Sequence, residues 1–110
     1  MEVKTSTQDG VTLVVPVGRV DSSTAKAFED EVMKAANGNT KMAIQFDKVD
    51  YISSAGLRVI LMAGKKLTAA KGELVLINMP DKIFSVFKVS GFDKIIKICP
   101  NFEEYKQSFN

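Results

Sequence analysis

The chain contains no histidine. That absence removes every mechanism needing an imidazole base, and most zinc sites with it. Cysteine is nearly missing as well: Cys99 alone cannot form an internal disulfide. No stretch approaches the roughly 18 uninterrupted apolar residues of a membrane span. The opening residues MEVKTSTQDG lack the apolar segment of a secretory signal. The expectation is a cytoplasmic protein without a membrane partner. Glycine and proline are not in excess, which argues against disorder. The net charge is only +2, and the lysines are spread along the chain rather than clustered with aromatics, so nucleic-acid binding finds little support.

What is present fits one α/β unit. A length of 110 residues allows one core, and the expected domain spans residues 1–110. After the turn signal Gln8-Asp9-Gly10, VTLVVPV alternates Val11, Leu13, Val15 and Val17, a half-buried strand that pairs as a hairpin with Val3 to Thr7. Asp21, Ser22 and Ser23 are cap candidates for a first helix carrying Ala25, Phe28, Val32 and Ala35, with Gly38 beyond its end. KMAIQF gives the next strand. Leu57, Ile60, Leu61 and Leu67 form the stripe of a second helix, with Gly64 placed where a helix could approach a sheet closely. ELVLIN reads as a strand covered on both faces. Pro80 and Asp81 begin a third helix closed by Gly91, and Ile95 to Ile98 form a last short strand. Asn101, three residues before Glu104, caps a final helix whose inner face is Phe102, Tyr105 and Phe109. The order β-β-α-β-α-β-α-β-α implies a layered, mixed but mostly parallel sheet with an N-terminal antiparallel hairpin and about four helices. In such sheets ligands and partners meet the carboxyl ends of the strands, which here gathers two loops: Gly18 to Thr24 and Asp47 to Gly56.

Few residues carry chemistry. A nucleophilic serine needs a base, and no spacing forces Lys48, Lys65 or Lys66 against Ser53 or Ser54, so the chain does not read as an enzyme. Cys99 has no C-x-x-C partner and reads as a small buried hydrophobe. Gly64-Lys65-Lys66 lacks the other elements of a P-loop, and no cofactor or metal is expected. Asp47 could accept a phosphoryl group only with further acidic residues after the first strand to hold magnesium, so Asp47 and Asp50 read as turn formers. The stretch YISSAGLRVI remains, with two serines where one suffices to cap a helix. Either they are only caps, or one hydroxyl is meant to be reached. The second reading gains from the strand-end location, from Gly56 as an open backbone beside them, and from the neighbouring cluster Asp21-Ser22-Ser23-Thr24. A hydroxyl beside helix N-terminal N–H groups is well placed to carry a phosphate.

These segments together resemble the bacterial anti-sigma factor antagonists of the STAS domain family. GRVDSSTA resembles the family's Gly-x-hydrophobic-Asp loop, FDKVDYISSAGLRVIL its strand, phosphorylatable loop and helix, and VFKVSGFDKIIKI its later helix and last strand. The resemblance implies a serine phosphorylated at Ser54 by an anti-sigma factor serine kinase, with Ser53 the alternative acceptor, and aligns Asp21 with the aspartate of the neighbouring loop. It also implies partner switching. The unphosphorylated protein binds the kinase and frees the sigma factor, phosphorylation dissociates it, and a PP2C-type phosphatase resets it. Two departures stand out: Ser53 occupies a position where the family usually has aspartate, and Arg58 replaces a commonly small residue. The expected partner-binding residues are Asp21, Ser22, Ser23, Ser53, Ser54, Gly56, Arg58 and Met62, although Met62 could instead pack on a neighbouring helix. The runner-up is a STAS-like scaffold or nucleotide-sensing subunit in which both serines serve only as caps.

Overall fold

The chain begins as a hairpin because Asp9-Gly10 adopts positive φ at both residues, the turn that matches strand twist. It joins β1 (Glu2–Gln8) to β2 (Val11–Val20), paired antiparallel from Glu2↔Val17 to Gln8↔Val11. A computed structural model describes residues 1–38 and 40–108. Beyond β2 follow α1 (Ala25–Ala36), β3 (Lys41–Gln45), β4 (Val49–Ile52), α2 (Ser54–Ala69), β5 (Glu73–Ile77), α3 (Asp81–Ser90), a 3₁₀ turn (Phe92–Lys94), β6 (Lys97–Cys99) and α4 (Phe102–Gln107). The sheet order is β1-β2-β3-β5-β6, and β4 lies off this path against β2. Every pairing after the hairpin is parallel.

Both sheet faces are covered. The larger core joins Val14, Met42, Ile44 and Leu76 to Phe28 and Val32 of α1, Ile60 and Leu67 of α2, and Ile83 and Phe87 of α3. Phe46 and Phe87 meet edge-to-face with ring centres 5.8 Å apart. Each such fully buried side chain contributes about 1.5–3 kcal/mol of transfer free energy. The smaller core on the opposite face gathers Val11, Ala43, Val75 and Ile77 under Tyr105 of α4. Asn101 caps α4 by accepting from the Glu104 N–H at 2.9 Å. Tyr105 Oη donates to Glu73 at 2.7 Å, and burial pushes its phenol above the ordinary tyrosine range.

Several expectations need correction. The segment expected as a loop from Asp47 to Gly56 contains β4, and β2 runs on to Val20, which shortens the loop expected from Gly18 to Thr24. Val11, Leu13, Val15 and Val17 alternate along one face, with Leu13, Val15 and Val17 half-buried, but the opposite face is covered too. Val14 and Pro16 are also buried, because β2 has helices on one side and α4 on the other. Pro16 pairs with Val3 of β1, while on its other edge it stands between the residues paired with β3 and those paired with β4. Asp21, Ser22 and Ser23 precede the actual N-cap position of α1, Thr24. The last strand is Lys97–Cys99 rather than Ile95 to Ile98, since Phe92–Lys94 coils first and Ile96 drops into the core. Gly64 is not a close approach: a Cβ there would lie an ordinary 3.7 Å from Leu74. Phe109 lies outside the described residues.

Candidate functional site

Parallel pairing of β2 with β4 sets Arg19 opposite Tyr51 and Val20 opposite Ile52, so the turns that follow emerge side by side. The Ser53 N–H donates to the Val20 carbonyl at 2.8 Å, tying the start of α2 to the end of β2. Gly56 completes the joint. It is buried, and a Cβ there would stand 2.7 Å from Val20 Cγ1 and 2.8 Å from Ile52 Cγ1. Its role is therefore close packing of helix on strand, not the open backbone expected from sequence.

The turn after β2 is organised by Asp21. Its carboxylate accepts from the Ser23 N–H at 3.0 Å and the Ser23 hydroxyl at 2.7 Å. Thr24 Oγ1 donates to the Arg19 carbonyl at 2.8 Å and accepts from the Asp21 N–H at 2.9 Å. The two Ser23 bonds, helped by the Arg19 guanidinium 3.3 Å away, hold the Asp21 carboxyl down to about 2. Arg19 also lies over the Tyr51 ring, 4.3 Å from its centre. Ser22 is exposed beside this network.

The turn after β4 is different. Ser53 occupies the N-cap position with extended backbone, yet its side chain makes no capping bond. Its Oγ is buried and without a hydrogen-bond partner. Ser54 is the first residue of α2 and is exposed. Neither serine is therefore a side-chain cap. Ser54, Arg58 and Met62 recur at helical spacing along the outward side of α2, and Met62 retains 37% exposure rather than being packed away. The unbonded N–H groups of the first turn and the helix dipole favour negative charge at this end.

The sequence model of the STAS domain matches residues 2–105. The chain belongs to the STAS domain family. BtrV of Bordetella bronchiseptica is 34% identical to this STAS domain over 102 residues, covering 92% of this chain and 88% of the relative. The anti-sigma-B factor antagonist of Listeria monocytogenes is 32% identical over 100 residues, covering 89% and 86%. The Bacillus protein SpoIIAA, solved in phosphorylated form, has the same fold: TM-score 0.72 at 17% identity, with 99% of this chain and all of that one covered.

In this STAS domain the structure brings Asp21, Ser22, Ser23, Ser53, Ser54 and Gly56 to one edge, and Arg58 and Met62 extend from it along α2. It adds residues the sequence reading missed. Across a hollow of about 430 Å³, Ser54 and Leu57 face Ser85, Val86, Val89 and Ser90 of α3. Val89 is 90% exposed. The signal was available, because Val89 falls out of step with the buried pair Ile83 and Phe87. Arg19 and Tyr51 carry no signal in the sequence, because only the β2–β4 pairing brings them together. Among the described residues no three or more carboxylates, cysteines or histidines converge on a possible metal position, and no helix is long and apolar enough to cross a membrane.

Proposed function

We propose that this STAS domain is an anti-sigma factor antagonist switched by phosphorylation of Ser54. Unphosphorylated, it binds an anti-sigma factor serine kinase and releases the sigma factor. Phosphorylation by that kinase ends the complex, and a PP2C-type phosphatase restores it. The chain acts as a substrate and a binding module rather than an enzyme. The observation that carries this reading is the position of Ser54: exposed, first in α2, and not used as a cap. The buried Oγ of Ser53 makes it the poorer acceptor. The name of the Listeria relative and the phosphorylated state of SpoIIAA support the same reading.

The energies suffice. A phosphate adds about −1.5 to −2 charges, and at the start of α2 it is favoured by roughly 0.3 to 2 kcal/mol, so the fold need not rearrange. A hundredfold loss of affinity needs only about 2.7 kcal/mol. Losing one desolvated hydroxyl contact and meeting like charge on the partner is of that order.

Matched baits of Ser54→Ala and Ser54→Asp in lysate of the source organism test the proposal. An ATP-dependent kinase held by the alanine protein and released by the aspartate protein is the expected result, with both variants melting near the wild-type temperature. Retention of the same proteins by both baits would defeat the switch and leave a constitutive scaffold.

A further inference from the structure

The α2 helix carries Arg58, Lys65 and Lys66 and no acidic residue from Ser54 to Ala69. Two hollows open along one flank of it. The first is the one beside Ser54, walled by Leu57, Val86 and Val89. The second, of about 420 Å³, is lined by Leu61, Lys65 and Thr68 of α2, Leu74 of β5, and Ile95 and Lys97. Leu57 and Leu61 stand one turn apart, so both hollows share the same wall of α2. Each has a large apolar side chain left to solvent: Val89 is 90% and Ile95 64% exposed. Paired with apolar hollows, such residues mark a binding surface rather than scattered exposure. The nearby carboxylate of Glu73 is already engaged by Tyr105 at 2.7 Å and by Lys97 at 3.8 Å. Lys97 is offset by that carboxylate, so the net positive charge of the flank is that of Lys65.

We infer that this flank docks an amphipathic helix with an acidic rim, supplied by the protein that acts on Ser54. From Ser54 to Thr68 the flank is about 21 Å long, four turns of helix, and anchors at i, i+3 or i+4, and i+7 of a partner helix would drop into the two hollows. Carboxylates on the rim of that helix meet Lys65. The identity of the partner rests on the switch reading above; the docking chemistry does not. It also gives the switch a long-range component. A phosphate on Ser54 lies at one end of the flank and subtracts positive charge from the surface that attracts the acidic helix.

The test uses the full chain, labelled with ¹⁵N, and two synthetic helical peptides about five turns long with identical leucine spacing. One carries glutamate and the other lysine at every polar position. The glutamate peptide is expected to move the amide signals of Leu57, Leu61, Lys65 and Ile95, and the lysine peptide to leave them in place. Ile95→Ser and Lys65→Glu, both on the surface, should each weaken the glutamate peptide about tenfold or more at unchanged melting temperature. Equal binding of the two peptides, shifts centred elsewhere, or no shifts would overturn the inference. So would concentration-dependent shifts at the same residues without peptide, which would give the flank to a second copy of the chain. A Ser54→Asp arm separates the two ideas. If the glutamate peptide binds that variant as it binds wild type, docking stands and its electrostatic link to the switch falls. If no peptide binds while Ser54 is still phosphorylated by the captured kinase, the switch stands and docking falls.

Discussion

The turns that follow β2 and β4 lie side by side and are both rich in hydroxyls, yet they employ them in opposite ways. After β2, the Ser23 hydroxyl is bonded to Asp21 and the Thr24 hydroxyl bridges Arg19 and Asp21. After β4, the Ser53 hydroxyl has no partner and that of Ser54 points from an exposed first turn. The first turn is a built scaffold and the second a reachable group standing on it. The difference teaches that serine content alone does not mark a modification site. The proposed switch uses a hydroxyl that is both exposed and free of a structural bond.

The largest test of this comparison strikes the joint between the turns. Gly56→Ala should cost about 1–3 kcal/mol, because its new methyl meets two stiff β-branched side chains, Val20 and Ile52, and overpacking outweighs alanine's gain of about 1 kcal/mol in helix propensity. A urea midpoint that rises instead would show that α2 can slide away from β2. Next comes the contrast between hydroxyls. Thr24→Ala gives up two hydrogen bonds and should lose about 1–2 kcal/mol, whereas Ser54→Ala should stay within about 0.5 kcal/mol of wild type. Equal losses in denaturant titrations would erase the distinction. The smallest effect is in pH. Asp21 titrates near 2 in the fold against an ordinary value of 3.8, so its contribution is complete above about 4 and disappears as the pH falls through 2. Melting temperatures of Asp21→Asn should therefore fall less steeply than wild type between pH 4 and 2. Parallel curves would mean that the Ser23 bonds do not survive in solution.

Much of this was legible beforehand, and the failures have physical causes. The helices were readable because each buries one stripe: Phe28 and Val32, Ile60 and Leu67, Ile83 and Phe87. The strand β4 was not, since its four residues carry Asp50 and Tyr51 exposed between buried Val49 and Ile52, a spacing that breaks the strand period of two. On β2 the alternation is present, but beyond Val11 the more deeply buried positions are Thr12, Val14 and Pro16, because both faces are covered. At the site, Ser54 and Asp21 could be found from their neighbours in sequence. Which hydroxyls were already bonded could not, because Arg19, Asp21 and Thr24 close a network only once β2 has turned, and Val89 reaches the site from a helix more than thirty residues away.

The pairing of β2 with β4 slips between Gly18 and Arg19: Gly18 lies opposite Val49, Arg19 opposite Tyr51, and Asp50 is left over. Because of that spare residue, Val49 and Ile52 can both point into the core although an odd spacing would send them to opposite faces of an unbroken strand. The segment leading to Ser54 thus carries one residue more than its ladder with β2 needs. Deletion of Asp50 would close the bulge into an unbroken ladder in which Val49 and Ile52, now two apart, still share the core face and Tyr51 stays outside, whereas adding a residue between Tyr51 and Ile52 would turn Ile52 outward. For descendants of this sequence, Asp50 is the place where the segment can shorten without turning inside out.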